Sequence, residues 1–170
     1  MATMMEIVIM MSELKEVDDT VAPDEDGYET EPNLVKHFEE IYNLKFELDA
    51  SATYENRKTF AYISKEENAL FIEWLVNDIG VDTWLNHPHS LNEEFLRRAD
   101  AQHKKHNINI CMLIPANTMS TDYYKELIEN ETTRFVENHP VQPRPKFLKN
   151  GRKVKMGSRN AYQVIIWRKK

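Results

Sequence analysis

The sequence predicts an α/β domain of three layers, with helices on both sides of a mostly parallel central sheet. Two observations carry this. Segments whose apolar residues recur at helical spacing alternate along the chain with short apolar runs of strand character, the order that a parallel sheet with crossover helices requires. One of those runs, Asn107 to Pro115, holds Ile108, Ile110, Cys111, Met112, Leu113 and Ile114 almost without interruption, as a strand covered on both faces would. A length of 170 residues suits one such domain with one active site.

The first 27 residues are polar and acidic, without helical or strand periodicity after Met11, and are expected to form a disordered leader; residues 28–170 then make up the domain. Pro32 suits a first helical position, and Leu34, His37, Phe38 and Ile41 follow on one face, which predicts a helix to about Asn43. Lys45 to Ala50 alternates Phe46 and Leu48 with polar neighbours and predicts a strand. Ser64-Lys65-Glu66-Glu67 matches a capping box, and Leu70, Phe71, Trp74 and Leu75 predict a helix behind it that Gly80 stops. Val81 to Asn86 reads as a strand. A second capping box, Ser90-Leu91-Asn92-Glu93, opens a helix that carries Phe95, Leu96 and Ala99. Tyr123 to Glu129 reads as helix, Thr133 to Glu137 as strand, Asn138 to Asn160 as a Pro- and Lys-rich loop, and Ala161 to Trp167 as a late strand. Trp74, Trp84 and Trp167 are assigned to the core or its margins.

The formal net charge of -6 conceals a division of charge. Up to Glu31 the chain is strongly acidic, with Lys15 as the only cation. After Glu137 there is no acid, while Arg144, Lys146, Lys149, Arg152, Lys153, Lys155, Arg159, Arg168, Lys169 and Lys170 follow. This basic segment, residues 138–170, suits contact with a polyanion, because each neutralised phosphate releases counterions; the alternative is a solvated tail. The apolar stretch within Met1 to Met11 is too short for a membrane span and lacks a basic flank. The only cysteine, Cys111, falls within the apolar run, which leaves no disulfide framework and predicts an inert buried thiol. These features suit an intracellular, cytoplasmic protein.

Ligands in such sheets bind beyond the carboxyl ends of the strands. Two tetrapeptides fall there, Asp49-Ala50-Ser51-Ala52 and Asn86-His87-Pro88-His89. Together with two further segments they resemble the small phage-type Dam family of adenine-N6 DNA methyltransferases. Asp26-Gly27-Tyr28-Glu29-Thr30-Glu31-Pro32 resembles that family's Asp-x-Trp-x-Thr-Pro, with one residue inserted. Phe46-Glu47-Leu48-Asp49-Ala50-Ser51-Ala52, with Glu55-Asn56 after it, resembles Phe-Asp-Leu-Asp-x-Cys-Ala and its trailing Asn. Trp84-Leu85-Asn86-His87-Pro88-His89-Ser90 stands where the family has Trp-x-Asn-Pro-Pro-Tyr-Ser, and Met112-Leu113-Ile114-Pro115-Ala116 with Thr118 resembles Leu-Leu-Pro-Ala-x-Thr. The order and spacing of the four segments is the specific part.

The resemblance implies a Rossmann-like methyltransferase that uses S-adenosylmethionine on adenine in DNA, acting in a host cytoplasm if its source is viral. By the same resemblance, Tyr28, Thr30 and Pro32 form one wall of the cofactor pocket, Asp49 and Ala50 another, and Asn86 touches both cofactor and substrate. Asp49 has the alternative role of capping a turn. The adenine amine is a weak nucleophile, so its N–H groups must be held by acceptors: the Asn86 side-chain oxygen and the backbone carbonyl of residue 87. Orientation then provides most of the rate. His87 and His89 replace the family's Pro and Tyr. His89 is planar and able to stack on an adenine turned out of the duplex, and it is expected to work as the neutral imidazole, with activity falling below about pH 6.5. Ser90, Arg134, Arg144, Lys146 and Arg152 are the expected DNA contacts, and the loop 138–160 the place for target recognition.

Three other readings compete. His87, His89, His103 and His106 could be taken for a metal site, but no acid joins either pair at diagnostic spacing, so no metal is expected and His103 and His106 are read as solvated. Cytosine carbon-5 methylation needs a thiolate on a loop, which Cys111 is not. The alternative that remains is a methyltransferase fold without catalysis, serving as a nucleic-acid- or partner-binding module.

Overall fold

A computed structural model describes residues 27–130, 136–154 and 160–170. The acidic leader, apart from Gly27, lies outside the described residues. The elements of the main sheet are β2 (Leu48–Asp49), β3 (Ala61–Tyr62), β6 (Thr83–Leu85), β7 (Ile110–Pro115), β8 (Val136–Pro140) and β11 (Tyr162–Trp167). They lie in the order β3-β2-β6-β7-β11-β8. The pairs β3/β2, β2/β6 and β6/β7 are parallel, while β11 runs antiparallel to both β7 and β8. The fold is thus an α/β, Rossmann-like sheet, mostly parallel as the sequence predicts.

The two faces of the sheet are sorted by strand alternation. On one side, Cys111, Leu113, Val164 and Ile166 join Trp84 and Phe46 beneath Val35 and Phe38 of α1 (Pro32–Tyr42). On the other, Leu85, Ile110, Met112, Ile114, Ile165 and Trp167 meet Phe95, Leu96 and Ala99 of α2 (Asn92–His106) and Tyr124 of α3 (Asp122–Tyr124). Every side chain of β7 and β11 is buried, which is why β7 reads as a continuous apolar run. Fully burying each Leu, Ile or Val contributes roughly 1.5–3 kcal/mol. The three tryptophans are 0–1% exposed, and Cys111 is fully buried, which pushes its thiol pKa up.

Local chemistry ends the long helices where expected. Asn43 and Asn107 take left-handed backbone at the ends of α1 and α2, as C-cap residues do. Glu93 and Glu94 begin α2, and His103, Lys104, Lys105 and His106 end it, matching the helix dipole. The helix α3 continues through a wide turn, Lys125–Glu129.

Three expectations need correction. The helix predicted behind Ser64 does not form. The capping-box bonds are made, Glu67 Oε2 accepting from Ser64 N at 2.9 Å and Ser64 Oγ from Glu67 N at 3.3 Å. Asn68 then turns to a φ of 59°, and the chain goes on to a hairpin of β4 (Leu75–Val76) and β5 (Ile79–Gly80) with positive φ at Asn77 and Asp78. Side chains of α2 replace the missing helical ladder: the Arg98 guanidinium donates to Ala69 O and Ile72 O, and Gln102 Oε1 accepts from Trp74 N at 2.8 Å. Tertiary hydrogen bonds have overridden a local helix signal. Gly80 is not a helix stop but a close approach, since a Cβ there would lie 2.7 Å from Ile108 Cγ2.

Second, the expected loop 138–160 contains structure. It includes the end of β8, then β9 (Phe147–Lys149) and β10 (Arg152–Lys153), which form a small antiparallel sheet, β1-β9-β10, with β1 (Glu29–Thr30). Third, His103 and His106 are not solvated: His103 Nδ1 donates to Ile108 O at 2.8 Å, and His106 pairs with Glu73. Part of the strand predicted at Thr133–Glu137 lies outside the described residues; the structure has β8 from Val136.

Candidate active site

The site forms at the carboxyl ends of β2 and β6, where the backbone of each parallel strand turns away and leaves a crevice. An open crevice lies there, its empty space of about 250 Å³ including solvent at the mouth, lined by Tyr28, Glu29, Thr30, Asp49, Ser51, Asn56, Lys58, Trp84 and Asn86. Two distant parts of the chain close it. Asn86, just past β6, donates through Nδ2 to Thr30 Oγ1 at 3.0 Å and to Tyr28 O at 3.4 Å. Because a backbone carbonyl can only accept, this contact fixes the carboxamide: its nitrogen faces β1 and its Oδ1 is left as the acceptor.

Asp49 ends β2 and is 2% exposed. Its Oδ2 accepts from Lys58 N at 2.9 Å and its Oδ1 from Ser51 N at 3.4 Å. It therefore does cap the turn after β2, and it lines the cavity as well. Burial pushes its carboxyl pKa up to about 6, against the downward pull of those two N–H groups and of the Lys58 ammonium. Lys58 is itself shifted below its ordinary value by burial, opposed by the charges of Asp49 and Glu29. A carboxylate and an ammonium thus face one small polar cavity.

A row of rings runs from Tyr28, the one of them that lines the cavity, to His89. Tyr28 stacks on Phe147, with centroids 5.7 Å apart and planes 13° apart; Phe147 meets Tyr162 edge-on at 5.0 Å; Tyr162 meets His89 at 5.4 Å. The Tyr162 hydroxyl also lies 3.5 Å from His89 Nδ1. His89 is half-buried at the start of a short turn, His89–Leu91, behind Pro88 with φ -57°. His87 is buried, its ring against Phe95 at 5.1 Å.

Of the residues singled out in the sequence, Tyr28, Thr30, Asp49 and Asn86 line the cavity, while His87, Pro88 and His89 follow Asn86 outside the lining. Ala50 is fully buried behind the cavity, its N–H donating to Trp84 O at 3.0 Å. Pro32 is exposed at the first turn of α1, outside the lining. Ser90 is exposed beside His89; Arg144 and Lys146 are exposed between β8 and β9, and Arg152 on β10. Arg134 lies outside the described residues. Arg168, counted among the basic end, is instead bound to Glu137 and to Tyr42 O.

Lys58, Ser51, Phe147 and Tyr162 were missed. Lys58 had a usable signal, two residues past the Asn56 of the matched motif. Phe147 and Tyr162 had none, because only the antiparallel return of β11 and the β1/β9 pairing bring them to this end of the sheet. Among the described residues no cluster of three His, Cys, Asp or Glu side chains is placed to hold a metal, and no helix is long and apolar enough to cross a membrane.

Known proteins with the same sequence pattern give this geometry a family. A family model described as DNA N-6-adenine-methyltransferase (Dam) matches residues 18–170. The chain is 33% identical over 112 residues to a DNA N-6-adenine-methyltransferase of Haemophilus phage HP1, covering 65% of this chain and 61% of that one. It is 34% identical over 105 residues to the DNA N-6-adenine-methyltransferase of Escherichia phage T1, covering 62% of this chain and 42% of that one. The matched part is thus less than two thirds of either relative's length. With the family pattern extending over most of its length, the chain belongs to the Dam family of DNA N-6-adenine-methyltransferases.

Proposed function

We propose that this protein transfers the methyl group of S-adenosylmethionine to the exocyclic N6 of adenine in DNA. The observation that carries the reading is the fixed carboxamide of Asn86, whose Nδ2 is spent on Thr30 and Tyr28 and whose oxygen remains as acceptor at the rim of a polar cavity. The lining fits the cofactor's chemistry: a nucleoside and an amino acid zwitterion offer hydroxyl, ammonium and carboxylate groups, which Asp49, Asn56, Ser51 and Lys58 can meet. Bound there, S-adenosylmethionine supplies an electrophilic methyl on a sulfonium.

The residues of the chain do the rest. Asn86 Oδ1 accepts one hydrogen of the adenine amine and the backbone carbonyl of His87 the other, which turns the nitrogen lone pair out of conjugation with the ring. His89, backed by Tyr162, gives the extruded base a flat surface to stack on. On that cofactor's binding, the amine nitrogen would form a bond to the methyl carbon as the methyl's bond to sulfur broke, and the amine's surplus proton would leave to solvent. Orientation supplies most of the acceleration, and no covalent intermediate on the protein is needed. Arg152 lies on the small sheet that also carries the β1 wall, and Lys146 directly precedes that sheet's β9, so phosphate contacts there position the duplex relative to the cavity without reading its sequence.

Titration calorimetry with S-adenosylmethionine, followed by methyl-labelling of unmethylated DNA, tests this reading. Micromolar binding and labelled N6-methyladenine are expected. Binding of DNA without any binding of the cofactor would instead leave a nucleic-acid-binding module on a methyltransferase fold.

A further inference from the structure

Behind the rim of the site lies a buried polar cluster that the cavity does not use. His87 is 3% exposed, and its Nε2 lies 2.7 Å from Asn92 Oδ1. Asn92, the first residue of α2, donates through Nδ2 to Thr118 Oγ1 at 2.8 Å and to Tyr123 Oη at 3.0 Å. One amide thus reaches two hydroxyls and the imidazole at once, with Oδ1 facing His87 Nε2. The end of β6, the start of α2, the turn after β7 and α3 are joined through one side chain.

What position 87 gives the proposed reaction is its backbone carbonyl. A proline there holds its own φ by its ring; a histidine does not, and its main chain must be fixed by something else. Pro88, next in sequence, is rigid, so any swing at residue 87 is carried to His89.

We infer that Asn92, braced by Thr118 and Tyr123, is a positioning residue: by holding the His87 ring it fixes the residue-87 carbonyl, the task a proline ring performs in the Asn-Pro-Pro-Tyr pattern. This rests on the acceptor site proposed above. The ring contacts agree with it, since His87 is also wedged between Phe95 and, edge-on at 5.9 Å, His89.

A double-mutant cycle tests it with Asn92→Ala, His87→Pro and the pair, each checked for folding by circular dichroism. Asn92→Ala is expected to lower kcat about 10- to 100-fold while the Kd for S-adenosylmethionine stays within about 3-fold, the mark of a misplaced acceptor rather than a lost binding group. In the His87→Pro background the same change is expected to cost less than about 3-fold. Asn92→Asp keeps an acceptor oxygen and sets a carboxylate in a first helical turn, and is expected to retain kcat within about 3-fold. Equal losses from Asn92→Ala in both backgrounds would overturn the inference and leave Asn92 a brace for α2 alone. Nitrogen-15 NMR of the imidazoles gives a readout independent of turnover: the Nε2 resonance of the single His87 tautomer is expected to shift on Asn92→Ala, and a His87 spectrum unchanged by that substitution would overturn the inference. If the wild type transfers no methyl, the catalytic reading fails by itself, while that shift and a urea-unfolding cycle of the same variants still decide whether Asn92 holds His87.

Discussion

The cavity and the ring cluster beside it are built on different physics. One is electrostatic: Asp49 is held by the backbone N–H groups of Lys58 and Ser51, Asn86 by Thr30 Oγ1 and Tyr28 O, and a buried carboxylate there carries a pKa of about 6. The other is a row of rings, Tyr28, Phe147, Tyr162 and His89, drawn from four parts of the chain and held mainly by contact. Directional bonds tolerate almost no substitution, because a buried partner left unpaired costs more than the bond contributes. Stacked rings tolerate replacement by another flat ring. That difference accounts for a site in which Asn86 and Asp49 match the family pattern while His89 departs from it.

The largest expected effect tests the electrostatic side. Asn86→Ala should lower kcat by about 10²- to 10³-fold, the usual scale for removing one preorganised group from a transition state, with the fold unchanged by circular dichroism. Asp49→Asn should weaken S-adenosylmethionine binding about 10-fold at pH 8, and wild-type affinity should itself fall as pH drops through about 6, where the carboxylate gains its proton. Stability should move the opposite way. A folded pKa above the unfolded value of about 3.9 means that the ionised group opposes folding, so wild-type stability contributed by Asp49 is present below pH 4 and lost as pH rises to about 6. Between pH 4 and pH 8 Asp49→Asn should therefore gain about 1–3 kcal/mol relative to wild type by urea unfolding, on top of a pH-independent loss from setting its amide NH2 against the N–H of Lys58 or Ser51.

Changes on the ring side should be milder. His89→Tyr should keep or raise kcat, by up to about 10-fold, and His89→Ala should lower it by a similar factor, in line with about 0.5–1.5 kcal/mol for an aromatic pair. A loss as large as that of Asn86→Ala would break the comparison and make His89 a proton carrier. The smallest effect is expected outside the cavity: Lys146→Ala and Arg152→Ala should each reduce the slope of log affinity for DNA against log salt by about 1, with kcat at saturating DNA unchanged.

Much of the parallel half of the sheet was legible because its signals are local. The unbroken run of β7, the helix start at Pro32 and the left-handed Asn43 and Asn107 are set by neighbours in sequence. The two capping-box patterns show where such signals stop. At Ser64 the reciprocal bonds form and no helix follows, because Arg98 and Gln102 of α2 satisfy the next carbonyls and amides. At Ser90 a helix follows, but it starts at Asn92 without a side-chain cap, and Asn92 is turned to His87 instead. Asn86 and Asp49 were legible as motif residues. Their setting was not: the small β1-β9-β10 sheet that supplies a wall of the cavity joins residues more than a hundred positions apart, and nothing local in Phe147 announces its partner.

The central claim is that the Asn86 carboxamide, pinned by Thr30 and Tyr28, presents the acceptor for an adenine amine. It is tested most directly by incubating wild type and Asn86→Ala with tritiated S-adenosylmethionine and unmethylated DNA, then digesting the DNA to nucleosides. The account predicts label in N6-methyladenine for the wild type and its near disappearance for Asn86→Ala. Label in another nucleoside, or label undiminished in the variant, would contradict it.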